Sequence, residues 1–482
     1  MIRLIKTIIF ILYSSIFSQV YDGNVLFTPY YSNSPDETIT YYMNNNYEII
    51  NSWSHEDVPA SMAYLLPDSS ILYPFKVDNP TMFAGGVGGG LRKISWDGDV
   101  YWEYIFSDNT YQHHHDVEPL PNGNILILVW EKKTEQEASA LGRENIQNFL
   151  GEMWSEAILE LDSSNGEIIW QWHLWDHLVQ DVNPSLPNYG NISSHPELFD
   201  INCGNVGLNA GGPQQENADW MHLNSVHYND QLDQIILSSR TQNEIYVIDH
   251  STTTQEAASH IGGDSGKGGD ILYRWGNPQN YGRGNDSHAI LAGQHSVNWI
   301  PDGYPGEGNI ILFNNMHSNS SSAIIEISTP IDSDGKYIIE DGEPFGPFDY
   351  EWIYNLGEII PMQGGSYRLS NGNTIISKTH LAEIIEVNQF GEIVWQYTHE
   401  LDQVSLSFWI ARCKKYSLDY LESLTLGDIN GDGIANVLDI VALVNIILYD
   451  SGDVNNADVN NDGIINILDV VLMVTVILNG PP

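Results

Sequence analysis

LPNGNILILV (Leu120–Val129) reads as a turn and then a strand: Pro, Asn and Gly reverse the chain, and the apolar run behind them has the length of a buried β-strand. The phrase recurs as LPDSSILYPF (Leu66–Phe75), PGEGNIILFN (Pro305–Asn314) and LSNGNTIISK (Leu369–Lys378). A second element alternates apolar and polar residues: AILELD (Ala157–Asp162), EIYVID (Glu244–Asp249), AIIEIS (Ala323–Ser328) and AEIIEVN (Ala382–Asn388). A third follows a Gly turn with a strand bearing Trp or Tyr: DGDVYWEYIF (Asp97–Phe106), NGEIIWQWHL (Asn165–Leu174), GGDILYRWGN (Gly268–Asn277) and FGEIVWQYTH (Phe390–His399). Turn–strand units with a recurring aromatic predict small antiparallel sheets arranged radially, a β-propeller.

Five units begin near Met62, His113, His222, His295 and Gly364. The segments TITYYMNNNYEIINSW (Thr38–Trp53) and VSLSFWIARCKKY (Val404–Tyr416) flank them and read as two halves of a sixth. Joining both ends of the chain in one blade would close the ring and leave no open edge. The expected fold is therefore all-β, a six-bladed β-propeller over residues 19–420. Val179 to Ala218 shows no strand pattern; it is expected to interrupt the second unit and lie over one face as a functional loop.

Both ends of the chain depart from this grammar. Residues 1–18 join two cations to an apolar run and then small and polar residues, a signal-peptide pattern that predicts export to the periplasm or the extracellular space. The run is short for a membrane span. After about Tyr420, DINGDGIANVLD (Asp428–Asp439) and DVNNDGIINILD (Asp458–Asp469) are near-duplicates. Each sets oxygen ligands at loop positions 1, 3, 5, 9 and 12, with Gly at position 6, as EF-hand-like Ca²⁺ loops do, and Asp replaces the usual final Glu. The expected Ca²⁺ ligands are Asp428, Asn430, Asp432, Asn436 and Asp439 in one loop, and Asp458, Asn460, Asp462, Asn466 and Asp469 in the other.

Lys plus Arg total 18 against 63 Asp plus Glu, a formal charge of −45. Such a surface repels nucleic acid and anionic membranes and favours cations. Cys203 and Cys413 are the two cysteines, too few for a disulfide framework, and whether they pair stays open.

Histidines mark the unit starts: YQHHHDVEPLPNGN (Tyr111–Asn124), DWMHLNSVHYND (Asp219–Asp230), LAGQHSVNWIPDG (Leu291–Gly303) and, more weakly, SWSHEDVP (Ser52–Pro59). A propeller gathers such starts around one channel, so recurrence there points to a site rather than to core packing. These stretches, with NYGNISSHPELFDIN (Asn188–Asn202) and VIDHSTTTQEAASHIGGDSGKGGDILYRWGNPQ (Val247–Gln279), resemble the bacterial arylsulfotransferases, also called aryl-sulfate sulfotransferases, over about residues 50–420. The tail, Leu426 to Asn479, resembles a type I dockerin, a Ca²⁺-folded helical module that docks onto a cohesin; a free-standing Ca²⁺-stabilised tail over residues 426–482 is the plainer reading.

The first resemblance implies a six-bladed propeller that moves a sulfuryl group from a phenolic sulfate ester donor to a phenolic acceptor, without a nucleotide donor or a catalytic metal. Its histidine–aspartate motif before an LPNGN turn puts His115 in the site. Its histidine-x-asparagine motif, with an arginine eighteen positions on, implies His222, Asn224 and Arg240. Its transient sulfohistidine corresponds to His295, and Ser366 is a looser match. The residue types suit the chemistry. Imidazole is a nucleophile that can carry a covalent intermediate, Arg240 offers a planar fork to an oxyanion, Asn224 an amide donor, and His115 and His222 acid–base groups. Strand alternation favours His115 over His114, and Tyr111, Trp220 and Trp299 either line an entrance or fill blade cores. A different class of function is a non-catalytic propeller that binds sulfated or phenolic ligands and is anchored by its dockerin to a polysaccharide-associated complex. A quinoprotein dehydrogenase finds no convincing ligand set.

Overall fold

A computed structural model describes residues 19–30, 38–146, 148–207, 216–332, 335–399, 409–421, 429, 435–449, 457, 459–460 and 464–479. The expected signal peptide, residues 1–18, lies outside them.

Among the described residues the sheets number six with four antiparallel strands each, plus one two-stranded parallel pair. Blades 1 to 5 begin with the strands Tyr64–Leu65, Tyr111–Pro119, Leu223–Asn229, His295–Trp299 and Gly365–Arg368, and each then runs outward in chain order. Blade 6 closes the ring. Its first strand, Trp409–Ser417, comes from the C-terminal side of the propeller and pairs with Gly23–Tyr30, followed outward by Thr38–Met43 and Ile49–His55. The closure thus joins one strand to three, rather than two halves, because GNVLFTPY near the N-terminus is an additional, fully buried strand. Contacts between successive first strands identify them as the inner wall.

The recurring tryptophan has a physical reason. Indole N–H groups near blade rims donate to backbone carbonyls of the next blade: Trp172 to Gly269 at 2.7 Å, Trp275 to Pro347 at 2.7 Å, Trp352 to Gln389 at 3.2 Å, Trp395 to Asn45 at 2.9 Å and Trp53 to Ser95 at 2.8 Å. Each ring covers apolar surface at a blade junction while its one polar atom finds a partner there, so the repeat is a device for joining blades.

The stretch Val179–Ala218 differs from expectation in two ways. It follows the four strands of blade 2 instead of interrupting them, and it is not strandless: Leu178–Val179 pairs in parallel with Phe199–Asp200. Strands this short are set by tertiary contacts and leave no pattern to read. Cys203 and Cys413 are both free thiols; Cys413 is buried in the closing blade, whereas Cys203 donates to Gln242 Oε1. In the tail, helices Val437–Tyr449 and Ile467–Asn479 pack through Leu443, Val470 and Met473.

Candidate active site

Four neighbouring blades share an unusual feature at one mouth of the channel. His115, His222, Ser296 and Gln363 all hold positive φ, between 50° and 56°, His115 in the middle of its inner strand and the other three at or beside the start of theirs. Non-glycine residues in this region cost about 1–3 kcal/mol each and persist only where the surroundings impose them. The register shows how. Along the inner strand of blade 2, His113 pairs with Val129 and Val117 with Ile127, so His114, His115 and Asp116 stand opposite Leu128 alone. Simple alternation fails across that bulge, and the three side chains leave in three directions.

His115 turns into the cavity, where its ring occupies the space beside Gly86; a Cβ on Gly86 would lie 2.1 Å from Nε2. His114 lies flat on Trp130, with ring centroids 4.1 Å apart. Asp116 is gripped from blade 6 by Arg412, whose Nη1 donates to Oδ2 at 2.8 Å and whose Nη2 donates to Oδ1; Tyr64 O–H and Val226 N–H donate to the same carboxylate. This buried pair ties the inner strands of blades 1, 2, 3 and 6 beneath the mouth. His113 points elsewhere and accepts the backbone N–H of Gly89 at Nδ1.

His295 sits in the same wall with a defined tautomer. Both amide hydrogens of Asn315 go to carbonyls, of Ile360 at 2.8 Å and Gln363 at 2.7 Å. Its Oδ1 therefore accepts, and the 2.7 Å contact with His295 Nδ1 requires that nitrogen to carry the hydrogen. Nε2 keeps the lone pair, approached by the Gln363 backbone N–H at a long 3.3 Å. Burial pushes His295 down to about 3, against a smaller opposing pull from Asn315, with Arg240 and His222 adding to the depression. The ring is neutral at ordinary pH. Burial, then the neighbouring His222, His114 and His295, hold His115 well below the usual histidine range as well.

Two carboxylates orient the remaining imidazoles. His222 Nδ1 meets Asp219 Oδ2 at 2.5 Å, which turns the far edge of the ring toward His115, with ring centroids 4.6 Å apart. Glu156 Oε2 meets His114 Nε2 at 2.9 Å, and His114 Nδ1 meets His115 Nδ1 at 2.9 Å. Glu156, His114 and His115 thus form one buried chain that ends at the cavity. Burial and the nearby Asp219 raise Glu156 well above the usual carboxyl range.

His115, His222, Arg240 and His295 line one cavity of about 530 Å³, together with Tyr30, Lys76, Phe83, Gln363 and Trp409. That volume is within the range of small-ligand sites. Asn224 lines a small recess that also touches His115, His295 and Arg412. One N–H of its amide goes to the Gln294 carbonyl at 2.7 Å, and Oδ1 is buried with no partner among the described residues. Trp220 and Trp299 are buried blade core, Tyr111 packs against Phe106, and none of the three lines the cavity. Aromatic surface comes instead from Tyr30, Phe83 and Trp409, which lie in closing strands and a loop and carry no repeat signature. Ser366 is buried in the inner strand of blade 5, and its hydroxyl finds no partner among the described residues.

The tail adds a second candidate site. Asp439, at position 12 of its loop, accepts the backbone N–H groups of Ile429 and Asn436 at 2.8 Å each. Asp469 does the same for Asn460 at 3.1 Å and Asn466 at 2.7 Å. Asp428, Asn430, Asp432, Asp458 and Asp462 lie outside the described residues. Both described carboxylates are buried at the base of a loop, as the last ligand of a Ca²⁺ loop must be.

The chain belongs to the arylsulfotransferase family, whose model matches residues 30–328, and it ends in a dockerin type I region matched over residues 426–478. No curated protein matches the chain. Among solved structures it is similar to a protein of unknown function from Bacteroides caccae, at 11% identity and TM-score 0.43, covering 82% of this chain and 98% of that one. A putative 6-phosphogluconolactonase from Bacteroides fragilis matches at 11% identity and TM-score 0.40, covering 83% and 99%. At these scores the likenesses carry no argument about activity. No helix among the described residues is long and apolar enough to cross a membrane.

Proposed function

We propose that this protein is an exported arylsulfate sulfotransferase that works through a sulfuryl group carried on His295 Nε2. The observation that carries the reading is the locked tautomer of His295, a neutral imidazole with its lone pair in a cavity lined by Arg240 and two further imidazoles. On a chain of charge −45, Arg240 and Lys76 supply local cations for a sulfate monoester, and the apolar faces of Phe83 and Trp409 suit its ring.

The lone pair attacks sulfur and the bond from sulfur to the phenolic oxygen breaks, leaving N-sulfo-His295 and a phenolate. Arg240 holds the sulfuryl oxygens as their charge redistributes. His115 is the acid in this reading, through its chain. Protonated Glu156 donates to His114 Nε2, His114 Nδ1–H donates to His115 Nδ1, and His115 Nε2–H faces the cavity. When the phenolate takes that last proton, each link shifts by one and the charge rests on Glu156. His115 Nε2 is then a lone pair, ready to accept the proton of the incoming phenol as its oxygen attacks sulfur. The second half reaction resets the chain, so atoms, protons and charge balance over a cycle. His222, oriented by Asp219, lines the wall of the cavity beside His115. Asn224 Oδ1 acts as an acceptor in the recess.

Two Ca²⁺ ions in the tail loops would complete the dockerin, with Asp439 and Asp469 closing them. Exposed Val437, Leu438 and Val441 on one helix recur as Ile467, Leu468 and Val471 on the other, a doubled apolar face suited to a cohesin. The apolar N-terminal run and the dockerin favour secretion.

The test is a single turnover with an aryl sulfate and no acceptor, followed by mapping of the bound sulfuryl group. The expected result is label on His295, and neither label nor transfer to phenol in His295→Ala. Turnover that survives His295→Ala would favour a different nucleophile, and a folded wild type that binds aryl sulfates without turning them over would favour the binding propeller.

A further inference from the structure

A second cluster of imidazoles stands away from the channel, at the rim between blades 2 and 3. His177 follows the outermost strand of blade 2, Ile168–His173; His260 and Asp270 lie in the loop before the outermost strand of blade 3, Tyr273–Trp275. His177 Nδ1 lies 2.8 Å from Asp270 Oδ1, and His260 Nδ1 lies 2.7 Å from the same oxygen. The three potential ligand atoms all fall within 4.8 Å of one another.

We propose that His177, His260 and Asp270 hold one divalent transition metal of the zinc class, with a coordination position open to the adjoining cavity. The ring of His177 supplies the argument. Its Nε2 lies 2.8 Å from the carbonyl of Ala257, which can only accept, so Nε2 carries a hydrogen. Nδ1 faces the Asp270 oxygen at 2.8 Å, a contact closed by one cation, either a proton or a metal ion, and His260 brings a third ligand atom to the same point. A histidine that gives its far N–H to a backbone carbonyl is the usual arrangement for a metal ligand.

The surroundings hold that arrangement in place. Ala257 ends a short helix, Thr254–Ala257, capped by Thr253 and Glu256, and Gly269 leaves room for the ring where a Cβ would lie 2.6 Å from Nε2. Trp172, which donates to the Gly269 carbonyl, stacks on His177. Two imidazoles and one carboxylate suit zinc and its neighbours, whereas Ca²⁺ prefers oxygen throughout. His260 and Asp270 also face a cavity of about 700 Å³ lined by Trp175, Tyr189, His195 and Glu197. A metal here would clamp the stretch after blade 2 to the loop of blade 3 and leave its fourth position to water or to a ligand in that cavity.

The test uses the full chain, stripped of transition metals and kept in saturating Ca²⁺ so that the tail sites stay filled. Titration with Co²⁺ should give the visible absorption of a four-coordinate site at one equivalent, and Zn²⁺ should displace it. His260 is 60% exposed, so His260→Ala should fold normally. That variant and Asp270→Asn should each weaken uptake by more than the roughly 10–100-fold that loss of a supporting partner costs. No uptake by the wild type would mean that a proton joins the groups, and the proposal would fall. Uptake that is unchanged in both variants would overturn it equally.

Discussion

The propeller mouth and the C-terminal tail both bury carboxylates, and they neutralise them by opposite means. At the propeller mouth each such group meets a side chain: Asp116 meets Arg412 of another blade, Asp219 meets His222 three residues on, and Glu156 meets His114 in its own blade. In the tail no such partner exists in the chain segment itself, since no Lys, Arg or His follows Lys415. Asp439 and Asp469 are as buried as Asp116, and both accept backbone amides. A buried charge needs pairing or coordination. The mouth satisfies its carboxylates with its own side chains, and in the proposed reading Ca²⁺ from solution would do so for the tail.

That contrast can be broken by experiment, and the largest effect expected is on the tail. Chelation should abolish a calorimetric transition of the tail, because the uncompensated carboxylates repel one another, while turnover of an aryl sulfate stays near its starting value. A tail transition indifferent to Ca²⁺, or activity lost together with it, would erase the distinction. Next in size is Arg240→Lys, which keeps the charge but loses the planar two-point grip. Turnover should fall about 10²–10³-fold, the usual cost of removing an oxyanion donor, with Ca²⁺ dependence untouched.

A subtler change probes the proton chain. In Glu156→Gln the amide can donate to His114 Nε2 but has no proton to pass on. Donors with weakly acidic phenols as leaving groups should slow by about 10²-fold or more, the lower range of acid–base contributions, while those with strongly acidic phenols change little. Equal slowing for both classes would make Glu156 a packing residue. The smallest effect is on stability in acid. His55, His113, His227 and His295 are all pushed down to about 3 by burial, from an ordinary value of 6.5. Between those values the unfolded chain binds protons that the folded chain refuses, so these groups make stability fall as pH drops below about 6.5. Denaturant midpoints measured between pH 7 and pH 4 check the sign.

Much of this was legible along the chain because it repeats. The turn–strand, alternating and aromatic elements each recurred four times, and repetition is visible without tertiary information. The two Asp-rich loops were legible for the same reason. Histidines stood out at the unit starts, and the resemblance to the arylsulfotransferases singled out His115, His222, Asn224, Arg240 and His295. The residues that complete the site had no such signal. Arg412 sits in a strand that reads as ordinary sheet until blade 6 places it against Asp116 from blade 2, 296 residues away. Tyr30, Phe83 and Trp409 became cavity wall only when the ring closed.

The sequence by itself therefore determined the number of blades, the class of the tail and the chemical types gathered at the mouth, because local pattern and repetition carry all three. Tertiary structure alone decided which nitrogen of each histidine bears its hydrogen, which way the Asn224 amide points, and how three adjacent histidines come to part in three directions. Those choices depend on partners such as Asn315, Gln294, Glu156 and Gly86, brought in from other strands, blades or loops. A bulge and a left-handed backbone at His115 settle the last of them, and neither leaves a pattern in the order of residues.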